Sequence, residues 1–191
     1  MPRAGLTPDA VTEAAADLAD EVGLDQVTVS EVARRFGVKT ASLYSHVSGS
    51  QDLRVRIGLL ALHETADLMA EAAAGRAGRD AIGAYADVYR DYARAHPGRY
   101  AATQQRFDPA TAAGSDGPRH SAMTRAILRD YDLTDDDQTH AVRLIGSTIH
   151  GYVSLELGGS FDHSAPDSQQ TWVRVLDALD ALLRAWPSTT G

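Results

Sequence analysis

Cysteine is absent from this sequence of 191 residues. Its absence excludes disulfides, thiolate metal sites and a cysteine nucleophile, and it is compatible with a reducing compartment. Aromatic residues make up only 6% of the chain, and β-branched runs are nearly absent, while Ala and Leu dominate the apolar residues. Because Ala and Leu favour helices and β-branched residues favour strands, the composition predicts an all-α fold.

Long apolar runs are missing as well. No stretch approaches the roughly 18 consecutive apolar residues of a transmembrane helix, and the first residues, MPRAGLTPDAV, contain no apolar segment of signal-peptide length. We therefore expect a soluble, cytoplasmic protein with no membrane partner. The hydrophobic content of 43% is sufficient for a sizeable core, in one domain or in a small domain followed by a larger one.

The charge is unevenly distributed along the chain. A formal net charge of -8 argues against a general nucleic-acid coat protein. Between Thr28 and Arg56, however, basic residues outnumber acidic residues five to two. This local basic module is expected to attract phosphate, while the acidic remainder discourages indiscriminate contact.

Helix start and stop signals occur at regular places. Thr7-Pro8 is typical of a helix start and Gly23 of a stop. Thr28 and Glu31 match a capping box, in which each side chain bonds the backbone N–H of the other residue. We predict no strand and nine helices, with a mobile loop at 108–118. The helices are expected at about 8–22, 28–36, 40–46, 50–74, 80–95, 99–106, 119–130, 134–157 and 168–186.

The window from Thr28 to Leu53 carries the functional prediction. Gly37 allows a tight left-handed turn between two short helices, and Val38 fills the angle between them. The inner faces consist of small apolar residues, namely Val29, Val32, Ala33, Leu43 and Val47. The outer face is small, polar and able to hydrogen-bond, as a groove-entering surface should be: Lys39, Thr40, Ala41, Ser42, Tyr44, Ser45 and His46.

This window resembles the TetR family of bacterial one-component regulators. The resemblance covers roughly the first 60 residues, and the matching positions are Thr28-Val29, Val32-Ala33, Phe36-Gly37-Val38, Leu43-Tyr44, His46-Val47 and Asp52-Leu53. It implies a helix-turn-helix DNA-binding domain at residues 1–50 and a helical regulatory and dimerisation domain at 51–191. It also implies a repressor that binds a palindromic operator as a homodimer.

The resemblance assigns roles to individual positions. Thr28 caps the first short helix and touches a phosphate, Thr40, Ala41 and Ser42 face base edges, and Lys39, Tyr44 and His46 contact phosphates. For Tyr44 the alternative is a ring packed between helices with its hydroxyl in solvent. Where the family often has a lysine at the start of the long helix, this chain has Ser50. Its hydroxyl and the helix N-terminus can still meet a phosphate, but the missing charge predicts a shallower salt dependence of DNA binding.

The C-terminal helix presents an apolar stripe. By the resemblance, this stripe pairs the last helices of two subunits in a four-helix bundle, whereas ordinary core packing is the alternative interpretation. The predicted dimerisation residues are Trp172, Leu176, Leu179, Leu183 and Trp186.

The segment Ile145–Ser160 resembles a TetR C-terminal subfamily named for a Trp-His-Gly pattern, with His150-Gly151 in place and Gly146 at the Trp position. His150 is either a ligand contact or a hydrogen-bonded core histidine. The implied mechanism is a population shift, in which an unknown small-molecule effector favours the state that does not bind DNA. Candidate pocket residues are Tyr85, Tyr89, Tyr92, Gln104, Phe107, Arg143, His150 and Tyr152.

Enzymatic signatures are lacking. The chain has no Gly-rich phosphate loop and no G-x-S-x-G elbow. The segment His63–Asp67 places Asp67 where a zinc helix has its second His, and we interpret it as a solvated helix face. We expect no cofactor, no metal and no enzymatic activity. The alternatives to a ligand-responsive repressor are a TetR-like protein controlled without a ligand or by a protein partner, and, more distantly, an all-helical enzyme.

Overall fold

The computed structural model describes residues 6–187, which form nine α-helices and no strand. The all-α prediction is confirmed. The helices are α1 (Pro8–Val22), α2 (Val29–Phe36), α3 (Ser50–Ala73), α4 (Gly78–Ala95), α5 (Pro97–Thr103), α6 (Pro109–Ala113), α7 (Gly117–Leu128), α8 (Asp135–Leu157) and α9 (Ser168–Arg184). Short 3-10 helices lie at Leu24–Gln26 and Thr40–Ser42.

The first two helices begin where their capping residues predict. The Thr7 hydroxyl accepts a hydrogen bond from the Ala10 N–H, and the Thr28 hydroxyl accepts one from the Glu31 N–H at 3.2 Å. The reciprocal half of the capping box is replaced, because the Glu31 carboxylate accepts hydrogen bonds from the Arg34 guanidinium instead. A single capping bond satisfies one of the free N–H groups of α2.

The expectation of a loop at 108–118 is wrong. Asp108 caps a short helix, α6, by accepting hydrogen bonds from the Ala110 and Thr111 N–H groups, and Pro109 occupies its first turn. The Asp-Pro pair is itself a helix start signal, and it was outweighed by the Gly and Ser residues that follow. The helix predicted at 40–46 is not an α-helix, whereas α6 is a helix that was not predicted. The total of nine α-helices is therefore reached with a different set.

The chain divides into two compact units. Of the described residues, the first unit contains 6–65 and 92–117, and the second contains 66–91 and 118–187. The helix-turn-helix domain predicted at 1–50 therefore lies within a larger unit that also holds α5 and α6. Its core is built from small apolar side chains: Val11, Ala15, Ala16, Leu18, Ala19, Val27, Val29, Val32, Ala33, Leu43, Val47, Leu53, Ile57 and Ala102.

The second unit is built from the end of α3, most of α4, and α7 to α9. Its largest fully buried side chains include Trp172, Ile82, Leu128, Ile145 and Leu183. Across residues 6–187, no helix combines the length and the apolar character needed to cross a lipid bilayer.

Candidate DNA-binding interface

The recognition segment, Lys39–His46, is wound more tightly than predicted. Thr40–Ser42 form a 3-10 helix, and turns continue to His46. The Leu43 N–H bonds the Thr40 carbonyl at 3.0 Å, and the His46 N–H bonds the Leu43 carbonyl at 2.8 Å. These are bonds to the third preceding residue, so the segment is a 3-10 variant of the short α-helix expected there.

The recognition segment buries Leu43 in the core and exposes most of its polar side chains. Leu43 is fully buried and Val47 is 3% exposed, so both join the core of the first unit. Gly37 adopts the left-handed conformation (φ 65°, ψ 30°) that directs the chain out of α2, as predicted. The outward side chains are exposed at Lys39, Ala41, Ser42, Tyr44 and Ser45, and half-buried at Thr40 and His46.

Tyr44 distinguishes between the two interpretations offered for it. Its side chain is 58% exposed, so the ring is not packed between helices. The ring and the hydroxyl are both accessible to a partner. Contact with DNA remains a prediction for the eight positions to which the sequence assigned it: Thr28, Lys39, Thr40, Ala41, Ser42, Tyr44, His46 and Ser50.

The two hydroxyls predicted to touch phosphates lie at the start of α2 and α3. Thr28 caps α2, while the Ser50 hydroxyl accepts a hydrogen bond from the Val29 N–H at 3.3 Å. Ser50 therefore joins the first turn of α3 to the first turn of α2. This contact gives Ser50 a structural role that the sequence alone did not reveal.

Most of the basic residues in this region are engaged by oxygen acceptors. Arg35 forms two hydrogen bonds of 2.7 Å with Glu21 of α1, and the Arg35 hydrogen bond lowers the pKa of that carboxyl. The remaining pairings are Arg34 with Glu31, Arg56 with Asp52, and Arg54 with the Asp25 carbonyl. Lys39 projects from the exposed start of the recognition segment. Glu21 lies outside the window from Thr28 to Arg56, so its carboxylate offsets one of the positive charges counted there.

Asp52 secures the start of α3. Its carboxylate accepts hydrogen bonds from the Ser48 N–H at 2.8 Å and from the Arg56 side chain at 2.9 Å. Burial raises the pKa of Asp52, but these hydrogen bonds outweigh burial and hold the pKa below its ordinary value. The ionised carboxylate thus fixes the turn that leads from the recognition segment into α3.

Local sequence patterns did not reveal a cluster of charged side chains around the buried Arg99. The Arg99 side chain is 9% exposed and reaches Glu64 at 3.0 Å and Asp17 at 2.7 Å. The Tyr92 hydroxyl also donates to Glu64. Burial raises the pKa of the Tyr92 hydroxyl, and the hydrogen bond to Glu64 raises it further. The interpretation of His63–Asp67 as a solvated face is therefore wrong at Glu64, although His63 and Asp67 are exposed.

The predicted pocket residues are divided between the two units. Tyr92, Gln104 and Phe107 belong to the first unit, and the other five belong to the second. Tyr85, Tyr92 and Tyr152 are buried, the last with its hydroxyl bonded to the Ser168 carbonyl, whereas Gln104 and Arg143 are exposed. His150 is half-buried, with Nδ1 3.4 Å from the Ser154 hydroxyl. A ligand pocket formed by these residues stays a prediction.

Two cavities are lined by other residues. One, of about 410 Å³, lies in the first unit between α1 and α3, beside Asp9, Thr12, Glu13, Arg56, Leu59 and Leu60. The other, of about 270 Å³, lies in the second unit beside Ala70, Ala73, Ala74, Arg76, Met123, Ala126 and Ile127. Within residues 6–187, no group of three or more His, Asp or Glu side chains is placed to hold a metal ion.

The apolar stripe of α9 faces inward. Trp172, Leu176, Leu179 and Leu183 are at most 5% exposed within the single chain, and Trp186 is half-buried. The two indole N–H groups donate to Asp87 and Asp137 of the same chain. The four buried side chains are core residues of the single chain, which agrees with the alternative interpretation of the stripe, and pairing of this stripe with a second copy is not supported.

Two family models match the sequence. Residues 11–56 match the one described as "Bacterial regulatory proteins, tetR family". Residues 82–179 match the one described as "Tetracyclin repressor-like, C-terminal domain". The first match covers α1, α2 and the recognition segment, and the second covers the region from α4 to α9.

Relatives and solved structures agree with these matches. The uncharacterized HTH-type transcriptional regulator Rv0681 of Mycobacterium tuberculosis is 33% identical over 172 residues, or 86% of this chain and 77% of the relative. The uncharacterized HTH-type transcriptional regulator YobS of Bacillus subtilis is 30% identical over 84% of each chain. The structure of SCO7222, a TetR from Streptomyces coelicolor, superposes with a TM-score of 0.72 at 19% identity, covering 94% of this chain and all of that one.

Proposed function

Because the chain belongs to the TetR family of bacterial regulatory proteins, we propose that it is a repressor that binds a palindromic operator as a homodimer and releases it when a small molecule binds. DNA-binding regulation is the activity of the family. The observation that carries the proposal is the recognition segment, whose buried anchors Leu43 and Val47 support an exposed face of small, polar side chains. Small, polar side chains on an exposed face are what a segment that enters the major groove requires, which supports the proposal.

The contacts proposed for one subunit on its half of the operator are assigned from the exposure of the side chains in the recognition segment. The Ala41 methyl meets a thymine methyl, and Ser42 and Thr40 offer hydroxyls to base edges. Lys39, Tyr44 and His46 contact phosphates on either side, and Thr28 and Ser50 place the first turns of α2 and α3 against the backbone. Because few of these groups carry charge, the affinity depends more on hydrogen bonds than on ion pairs.

The dimer is proposed to form through the outer faces of α8 and α9. Large apolar side chains there are exposed in the single chain: Leu155, Leu157, Val173 and Leu182. Gly146 and Gly151 of α8 have open space where a Cβ would lie, which leaves room for a close helix from a second copy. Dimerisation is required because two recognition segments must reach successive major grooves about 34 Å apart.

Release of the operator requires a ligand that binds more tightly to the state that does not bind DNA than to the state that does. A ligand with equal affinity for both states leaves operator binding unchanged, however tightly it binds. A chain that binds the operator but responds to no small molecule would match the alternative of ligand-independent control. No cofactor is needed in either mechanism.

The test is retention of duplex DNA from around the protein's own gene in a gel shift at low ionic strength. We expect a specific complex that unlabelled nonspecific duplex does not displace. Ala41→Asp, on the recognition segment, should abolish the complex, because it brings a negative charge to the DNA. Ala112→Asp, at an exposed position of α6 in the same unit, is the matched control and should bind normally. Equal binding by both variants, or no retention by the unmodified chain, would contradict the proposal.

Sedimentation at micromolar concentration tests the dimer separately. We expect a dimer for the unmodified chain and a shift toward monomer for Val173→Glu combined with Leu182→Glu. A monomer of the unmodified chain would rule out the proposed assembly.

A further inference from the structure

Helix α5 approaches α1 at a distance that only glycine permits. A Cβ built on Gly98 would lie 2.1 Å from the carbonyl carbon and oxygen of Ala19, and 2.6 Å from the backbone nitrogen of the residue that follows. These are backbone atoms, which cannot turn away as the end of a side chain can. The start of α5 therefore touches the end of α1 directly, backbone against backbone.

A second glycine permits a similar approach between α5 and α3. A Cβ built on Gly58 would lie 2.6 Å from the Ala102 carbonyl oxygen and 2.8 Å from the Phe107 ring. Beside this contact, the Gln105 side chain donates to the Arg54 carbonyl of α3 at 2.6 Å. The short helix α5 is thus held against both α1 and α3.

Polar contacts reinforce the junction between α1 and α5. One oxygen of the Asp20 carboxylate accepts a hydrogen bond from the Arg99 N–H at 2.9 Å, and the other lies 3.0 Å from Nδ1 of His96. A carboxylate of α1 therefore caps the first turn of α5, where N–H groups lack partners within the helix. The buried Arg99 side chain lies in the same junction.

The recognition segment shares its supports with this junction. Leu43, its main anchor, lies in the same core as Ala19 of α1 and Ala102 of α5. The Arg35–Glu21 pair also ties α2 to the end of α1. α5, α1 and the recognition segment thus share one core, which is a contiguous path of contacts between them.

We infer that α5 sets the angle between α1 and α3 and so orients the recognition segment, with Gly98, Gly58 and Asp20 as positioning residues for operator binding. This inference rests on the proposed function. None of the three residues touches DNA in the proposed contacts. Their role is to hold the elements that do.

The main experiment compares two glycine substitutions in the same unit. Gly98→Ala forces α5 away from α1, and we expect operator binding at least about tenfold weaker in a gel shift with the duplex that the unmodified chain retains. Gly114→Ala is the matched control, because its Cβ would meet no atom closer than 3.5 Å. We expect it to bind like the unmodified chain. Equal affinity of the two variants would overturn the inference while leaving the proposed function standing.

A destabilised core could weaken binding without any change of orientation, and a second control separates the two effects. Ile145→Val opens a small gap in the core of the second unit and lowers the unfolding temperature, whereas α5 belongs to the first unit. We expect it to retain operator affinity at a temperature where all variants are folded by circular dichroism. A loss as large as that of Gly98→Ala would overturn the inference.

Asp20 provides a test if Gly98→Ala does not fold. Asp20→Asn keeps an oxygen that accepts from the Arg99 N–H, whereas Asp20→Ala removes it. We expect Asp20→Ala to bind the operator about tenfold more weakly than Asp20→Asn, with nonspecific duplex binding equal for both. Equal operator affinities would contradict the positioning role. If the unmodified chain retains no duplex at all, the proposed function fails, and this inference fails with it.

Discussion

Among residues 6–187, each unit contains one buried arginine, and the two are held in different ways. In the second unit, Arg90 is 2% exposed and bonds both oxygens of Glu156, at 2.8 and 2.6 Å, as well as the Gln169 side chain. Its guanidinium also lies 5.0 Å from the centre of the Trp172 ring and 5.8 Å from that of Tyr152. This cation has a complete set of partners within one closed cluster.

In the first unit, Arg99 is shared among four carboxylates on α1 and α3. Glu13 and Asp17 are more than half exposed, and Asp20 and Glu64 are less so. The Arg99 Nε lies 3.2 Å from Asp20 without hydrogen-bond geometry. Arg90 is thus held by one closed set of partners, whereas Arg99 has four carboxylates within reach, two of them more than half exposed. The second arrangement lies in the unit that holds the recognition segment.

The largest effect is expected at Arg90. Arg90→Met leaves Glu156 largely buried without its cation, and we expect a loss of roughly 3–5 kcal/mol in the free energy of unfolding, measured by urea denaturation. Arg129→Met, at an exposed position of the same unit, should change the free energy of unfolding little. If Arg90→Met proved as stable as this control, the distinction between the two arginines would not hold.

A smaller effect is expected at Arg99. Arg99→Met leaves several carboxylates close together, but Glu13 and Asp17 can be hydrated where they stand. We expect a loss of about 2 kcal/mol, less than at Arg90, because solvent screens the exposed charges. Added salt should recover part of this loss and less of the loss in Arg90→Met. The reverse order of salt sensitivity would contradict the comparison.

At the start of α3, Asp52→Ala should cost about 1 kcal/mol at neutral pH, because it removes the acceptor for the Ser48 N–H. The folded pKa of Asp52 is lowered, so its contribution is present above the ordinary carboxyl pKa of about 3.9 and is lost as the pH falls through the folded value. Denaturation at pH 7 and at pH 3 should therefore show the difference between variant and unmodified chain narrowing in acid. A constant difference would exclude the ionised carboxylate as its cause.

The smallest effect concerns DNA binding by the first unit. Ser50→Lys adds a cation at the first residue of α3, and the slope of log K against log[salt] should steepen by about 0.9 for each new phosphate contact. Ser121→Lys adds the same charge at an exposed position of α7 and should leave the slope unchanged. Equal slopes for the two variants would show that Ser50 does not face a phosphate.

Local sequence signals predicted the starts and ends of helices well, but they did not predict contacts between residues that are far apart in the sequence. Thr7, Thr28 and Gly37 act within a few residues of their own position, so their caps and turn could be predicted. Asp20 and Arg99 are 79 residues apart in sequence, and no local pattern pairs them. For the same reason, α5 was not expected to belong with the helix-turn-helix.

The spacing of apolar residues also did not determine what the apolar face of a helix packs against. Spacing showed that Trp172 and Leu183 share one face of α9, but an apolar face packs equally well against its own chain or a second copy. The choice between a 3-10 helix and an α-helix at Thr40–Ser42 depends on which carbonyl each N–H reaches, and side-chain spacing over so few residues does not reveal it.

The tryptophans of this chain provide an optical probe of one unit alone. The chain has two, and both lie in α9 or directly after it: Trp172, beneath the Arg90 guanidinium, and Trp186, bonded to Asp137. Indole emission therefore reports directly only on the second unit, while the far-ultraviolet helical signal reports on both. Overlaying the two melting curves will reveal whether the DNA-binding unit unfolds separately.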